Sequence, residues 1–302
     1  MSTKLQIVAL KRSFFIILLK ISGLTLRLQY QLFMAFGSLF YIWAQFLISL
    51  NTGYSPTQAL FQGVDKTSKT ALAKTIDSNS RVIYLSFDDG PLSGTLNCFE
   101  ICRQENVAAT FFEVGLHQSR SSFGRQMFQQ ISSYPALFTI ANHSFTHANN
   151  NYLSFYHHPD TALLDFLKAK EILQPANNLT RLPGNNAWNI TNVKRASNLV
   201  RPLVDKLDSV GMNVIGWDLQ WRFNKAGRPV QSPEYMADKV DSLFFHHQTL
   251  TKNHLVILMH DHMFRASADS LKLEQFIRAL KQRKNYQFEK LTQYPGLKPS
   301  VN

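Results

Sequence analysis

From Arg81 onward, short runs rich in β-branched and aromatic residues alternate with segments of helical periodicity, and no other feature restricts the fold as much. The runs are VIYLSF (Val82 to Phe87), ATFFEVG (Ala109 to Gly115), FTIANHS (Phe138 to Ser144), NVIGWDL (Asn213 to Leu219) and HLVILMH (His254 to His260). A weaker one surrounds Arg181, and a last one covers Tyr286 to Leu291. Between them, Val200, Leu203, Val204 and Leu207 recur at i, i+3, i+4, i+7, with Gly211 as a stop, and Leu273, Phe276, Ile277 and Leu280 repeat the stripe. Ser232-Pro233-Glu234 reads as a cap, a first-turn proline and an acid. Such alternation predicts a parallel sheet in one α/β domain over residues 81–295, closed as a barrel or open and doubly wound. In both architectures reacting groups sit at the carboxyl ends of strands.

The chain of 302 residues is 45% apolar and 17% charged, which excludes intrinsic disorder and a disulfide-stapled miniprotein. Its net charge of +12 suggests nucleic acid, anionic lipid or an acidic polymer until the charges are located. Lys4, Lys11, Arg12, Lys20 and Arg27 all precede the first acid, Asp65, and form a basic arm over residues 1–30. Residues 31–50 (QLFMAFGSLFYIWAQFLISL) carry no charge, and about 20 such residues span the hydrocarbon of a bilayer. This predicts a transmembrane helix with a cytoplasmic N-terminus and everything beyond it periplasmic or extracellular. Tyr41, Trp43 and Gln45 leave a buried or surface-lying amphipathic helix as the other reading. Residues 51–80 read as a linker and 296–302 as a tail. No basic cluster with interleaved aromatics supports a nucleic-acid partner. Cys98 and Cys102, spaced i, i+4, read as buried apolar residues.

Polar residues follow the strands five times. VIYLSF ends in Asp88-Asp89-Gly90-Pro91, where adjacent carboxylates need a cation or a shared proton unless the segment is an ordinary acidic turn. FTIAN runs into His143-Ser144-Phe145-Thr146-His147, and histidines four apart on one face of a helical turn can reach one metal ion. With Asp89 they make three protein ligands and an open position, a catalytic set and not a closed structural one. Arg181-Leu182-Pro183-Gly184, Trp217-Asp218-Leu219-Gln220-Trp221 and Leu258-Met259-His260-Asp261 complete the series.

The ordered set SFDDGP, HSFTH, RLPG, WDLQW and LMHD resembles the five motifs of the polysaccharide deacetylase family, also called the NodB-homology or carbohydrate esterase four family, over roughly Arg81 to Leu291. The resemblance implies a distorted (β/α)7 barrel and metal-dependent removal of N- or O-acetyl groups from an N-acetylated glycan. It implies Asp88 as general base, with Asp89, His143 and His147 as ligands of one divalent ion, zinc being the expected one. It further implies Arg181 as the holder of Asp88, the Gly184 N–H as oxyanion donor, Trp221 and Leu258 as the acyl pocket, and His260 as general acid. Where relatives often carry an aromatic residue after the proline of the third motif, Gly184 precedes Asn185 and Asn186 here, and Gln220 stands where an acid is common, leaving Asp218 or Asp261 to tune neighbouring charges. A deformylase of a lipid-linked amino sugar and a catalytically idle carbohydrate-binding relative are the alternatives. Oligomeric state is not legible.

Overall fold

The computed structural model describes residues 80–299. The basic arm, the 31–50 segment and almost all of the 51–80 linker lie outside these residues; among the described residues no helix is long and apolar enough to cross a membrane.

The central strand β1 (Arg81–Gly90) is buried on both faces, which is why its apolar residues run on without alternating. It pairs in parallel with β2 (Ala109–Glu113) and with β9 (His254–His260). The main path of parallel strands runs β7-β4-β3-β2-β1-β9-β8, where β3 is Phe138–Asn142, β4 Leu179–Thr180, β7 Asn213–Val214 and β8 Leu219–Gln220. A hairpin of β5 (Trp188–Ile190) and β6 (Val193–Arg195) extends one edge, and β10 (Tyr286–Phe288) pairs with the start of β1.

Strands β7 and β8 stand at opposite ends of this order, yet Val214 and Leu219 are five residues apart. Five extended residues reach at most about 18 Å, whereas six strand spacings in a flat sheet need roughly 29 Å. The sheet must therefore curl into an incomplete barrel whose ends are joined by residues 215–218. Hydrogen bonds agree: Ile215 N donates to Thr180 O (2.9 Å), while Asp218 N donates to Val256 O (2.9 Å). The expected strand Asn213 to Leu219 is thus two short ones, the first on β4 and the second on β9.

Helices cover the outer face. Helix α1 (Thr95–Gln104) carries Cys98 and Cys102, both buried free thiols as expected. After α2 (Gly115–Arg120) and α3 (Ser122–Ser132), α4 (Tyr152–His157) and α5 (Pro159–Leu173) follow β3. Helix α6 (Arg201–Ser209) buries Leu203, Val204 and Leu207. Helix α7 (Pro233–Phe245) starts after Ser232, whose Oγ accepts from Tyr235 N, and α8 (Ser267–Lys281) buries Leu273, Phe276, Ile277 and Leu280. The domain's contacts continue past residue 295: Thr191 N donates to Gly296 O and Lys298 N to Asn213 Oδ1. Residues 296–298 therefore pack on the domain and are not a free tail.

Candidate active site

Register places the two candidate proton-transfer groups side by side. In the β1–β9 ladder Asp88 lies opposite His260, and Ser86 opposite Leu258. Asp88 is 2% exposed. The next residue leaves the strand: Asp89 has φ +77°, a left-handed backbone that turns its carboxylate away from its neighbour's path. Gly90 is required beyond it, since a Cβ there would lie 2.6 Å from Asp261 Oδ2.

The helical turn expected for His143 and His147 is not what brings them together. Ser144 has φ +69° and His147 φ +53°, so the two imidazoles converge from a looped segment after β3. Three side chains hold that loop. Asn142 Oδ1 accepts from Ser144 N (2.8 Å), and Ser144 Oγ accepts from His147 N (3.0 Å). Asp165 Oδ2, from α5, accepts from Phe145 N and Thr146 N at 2.9 and 3.0 Å.

Asp89 Oδ1 lies 3.0 Å from His147 Nε2 and 3.5 Å from His143 Nε2. The three side chains offer donor atoms within 4.8 Å of one another. His143 Nδ1 is 2.9 Å from Arg181 O; an N–H donating there leaves the Nε2 lone pair facing Asp89. Asp89 Oδ1 is buried without a hydrogen-bond partner among the described residues, the condition of a ligand atom awaiting a cation. One carboxylate oxygen and two imidazole nitrogens suit a zinc-like ion with a position left open. Burial by itself would raise the Asp89 pKa, but His143 and His147, with the charge of His260, hold it well below the usual carboxylate range.

Arg181 is fully buried at the end of β4 and uses all its edges. Nη1 donates to Asp88 Oδ1 and to Ser86 Oγ, both at 2.8 Å. Nε donates to Ile215 O (3.1 Å) and Nη2 to Gly216 O (2.9 Å), the carbonyls at the break between β7 and β8. The guanidinium stacks 4.1 Å from the Phe112 ring centre. Burial lowers its pKa from the ordinary value, and Asp88 opposes the shift. The fork therefore fixes Asp88 and the strand break together.

His260 is partly buried at the end of β9, and that burial lowers its pKa, against the pull of Asp89 and Asp88. Its Nδ1 has no partner among the described residues. Neither Asp218 nor Asp261 substitutes for the acid missing at Gln220. Asp218 accepts from Leu250 N and Val256 N (2.7 and 2.8 Å), and Asp261 accepts from Thr95 Oγ1. Burial pushes Asp261 up to about 7, and Glu113, buried near the same glycine, is raised well above its ordinary value.

Leu258, two residues before His260 on β9, lies on the same face of the strand and is buried. Trp221 does not share that face. Its ring packs on Phe264 and Phe276, with centroids 5.6 and 5.1 Å away, in the cluster between sheet and helices, and Nε1 donates to Gln231 O. That phase of the strand turns it from the inner face, so it is a core residue and not part of the acyl pocket. Two residues on, the half-exposed Phe223 stands edge-to-face against His260 at 4.9 Å and His262 at 4.7 Å. Gly184 has φ +65° and is exposed, and among the described residues nothing accepts from its N–H. A Cβ there would lie 3.2 Å from Tyr152, whose ring also meets His147 at 5.8 Å. Sequence reasoning missed Phe223, Tyr152, Asp165 and His262; only His262, next to the LMHD motif, carried a local signal.

Residues 75–187 match the family model described as polysaccharide deacetylase, a span that includes Asp88, Asp89, His143, His147, Arg181 and Gly184 and ends before Leu258 and His260. No curated protein matches the chain in sequence. Among solved structures, the catalytic domain of peptidoglycan N-acetylglucosamine deacetylase from Eubacterium rectale is similar at 22% identity, covering 78% of this chain and 100% of that one, with a TM-score of 0.52. A Streptococcus mutans CE4 esterase is 21% identical over 70% of this chain and 86% of its own, with a TM-score of 0.51. Peptidoglycan deacetylase PdaC from Bacillus subtilis is 20% identical over 72% and 91%, with a TM-score of 0.50. At these identities the likeness is one of fold. The matched span carries the buried Asp88–Arg181 pair and the Asp89, His143 and His147 cluster, and over residues 75–187 the chain is similar to polysaccharide deacetylases.

Proposed function

We propose that the domain hydrolyses N-acetyl, or O-acetyl, groups on an envelope or extracellular polysaccharide, with one divalent ion, zinc by its donor set, held by Asp89, His143 and His147. The observation that carries this reading is the carboxylate of Asp88, outside the three-donor cluster, pinned at 2.8 Å by a buried arginine and facing His260 across the ladder. Two of the similar structures are named as peptidoglycan deacetylases, which favours an N-acetylated glycan.

Asp89, His143 and His147 would hold the divalent ion, which when bound would polarise the acyl oxygen and acidify water near neutral pH. Asp88 takes a proton from the attacking water, and Arg181 keeps its acceptor oxygens aimed at that point. As the acyl carbon becomes tetrahedral, the free Gly184 N–H donates to the oxygen gaining charge. His260 gives a proton to the sugar nitrogen as the C–N bond breaks, so that an amine leaves and acetate remains. Asp88, once it has taken the water's proton, can pass it on to His260. Leu258 and Phe223 border the space for the acyl methyl. All the groups this chemistry needs are present, which disfavours the idle carbohydrate-binding alternative.

The charge-free residues 31–50 behind a basic arm support membrane anchoring, with the domain on the far side of the membrane. The activity is tested by acetate release from peptidoglycan, chitin-type oligomers and poly-N-acetylglucosamine, before and after chelation. We expect release to disappear with the metal and return with added zinc. Unchanged turnover after complete metal removal contradicts the proposal, and formate release from a lipid-linked sugar would favour the deformylase.

A further inference from the structure

Asp89 has two carboxylate oxygens, and the histidine pair engages one. Oδ1 faces His147 and His143, while Oδ2 lies 3.8 Å from Nδ1 of His262. At that separation the two groups are an ion-pair contact, longer than a hydrogen bond.

The imidazole of His262 is seated from several sides. Phe223 meets it edge-to-face, 4.7 Å between ring centres and 84° between planes. Gly227, at φ +69°, passes so near that a Cβ would lie 3.1 Å from His262 Cδ2. Phe223 and Gly227 belong to a hairpin over residues 222–230, bridged at Phe223 and Pro229. Arg265 ties the hairpin to this histidine, donating from Nη1 to His262 O (3.2 Å) and from Nη2 to Ala226 O (2.7 Å). His262 is not one of the three residues whose donor atoms converge. Its built seat and its orientation need another explanation.

We propose that His262 is a positioning residue which donates its Nδ1–H to Asp89 Oδ2 and so fixes the carboxylate with Oδ1 toward His143 and His147. The inference rests on the metal reading above. Groups that orient a ligand in this way typically contribute about 10- to 100-fold in metal affinity. A carboxylate free to rotate loses that advantage.

The test is zinc affinity of the metal-free, full-length protein, measured by competition with a chromophoric chelator, a readout separate from turnover. His262→Ala should weaken binding by about 10- to 100-fold. His262→Phe, which fills the space against Phe223 without an N–H, should weaken it as much and guards against a packing defect in the alanine variant. His262→Asn keeps an N–H close to the Nδ1 position and should bind within a few-fold of the parent. Parental affinity in His262→Phe or His262→Ala overturns the inference while leaving the metal site intact, as does a loss in His262→Asn equal to that in His262→Phe. A parent protein that takes up no zinc overturns the metal reading itself, and this inference with it.

Discussion

Asp88→Asn lowers acetate release by about 10²- to 10⁴-fold, the usual contribution of a positioned general base. The substitution keeps an oxygen for Arg181 Nη1, which now donates at 2.8 Å, so the fork retains a partner and the barrel its packing. It removes only the ability to accept a proton. Zinc affinity should stay near the parental value, because Asp88 is not one of the three residues whose donors converge. The check is kcat of the zinc-loaded variant on an N-acetylated oligomer, beside its zinc titration. Parental kcat in Asp88→Asn would remove this residue from the base role.

Arg181→Met has the largest expected effect on stability. The side chain is 0% exposed and its partner Asp88 2%, so the change strands a carboxylate in the interior with its counter-charge gone. Breaking a buried pair by removing one member typically costs about 3–5 kcal/mol. Two further acceptors, Ile215 O and Gly216 O, lose their donors at the point where the chain crosses between the ends of the curled sheet. Lysine would not rescue the site, since a single ammonium cannot serve four acceptors in one plane. Urea unfolding of parent and variant measures the difference. A loss below about 1 kcal/mol would mean that the interior tolerates Asp88 alone, contrary to the cost expected for an unpaired buried charge.

Much of the fold was legible because most elements advertise themselves locally. His254 to His260 was read at its full length, since an unbroken apolar run lies between Asn253 and Asp261. The stripes of α6 and α8 are buried as their spacing requires. The run Asn213 to Leu219 misled because nothing near it shows that Arg181, more than thirty residues earlier, draws on the carbonyls of Ile215 and Gly216. The β5–β6 hairpin escaped because each strand has only three residues; Asn192, at φ +62° in its turn, was its one sign.

The site divides in the same way. The ligand types and their order along the chain were readable, whereas the backbone that joins them was not. His143 and His147 meet through left-handed residues braced by Asp165, twenty residues from Phe145 and on another element. The error at Trp221 was one of phase. Strand residues alternate between faces, and its neighbours Leu219 and Met259 are also in the helix-side cluster. Phe223, beyond the strand, reaches the site through a hairpin whose position depends on Arg265 and the His262 carbonyl.

Anomalous diffraction from zinc-soaked crystals of the protein addresses the metal centre most directly. One ion should appear about 2.0–2.2 Å from an Asp89 oxygen and from Nε2 of both His143 and His147, with Asp88 outside its bonding distance. An ion bound elsewhere, or none at these three side chains at saturating zinc, would contradict the assignment on which the proposed chemistry depends.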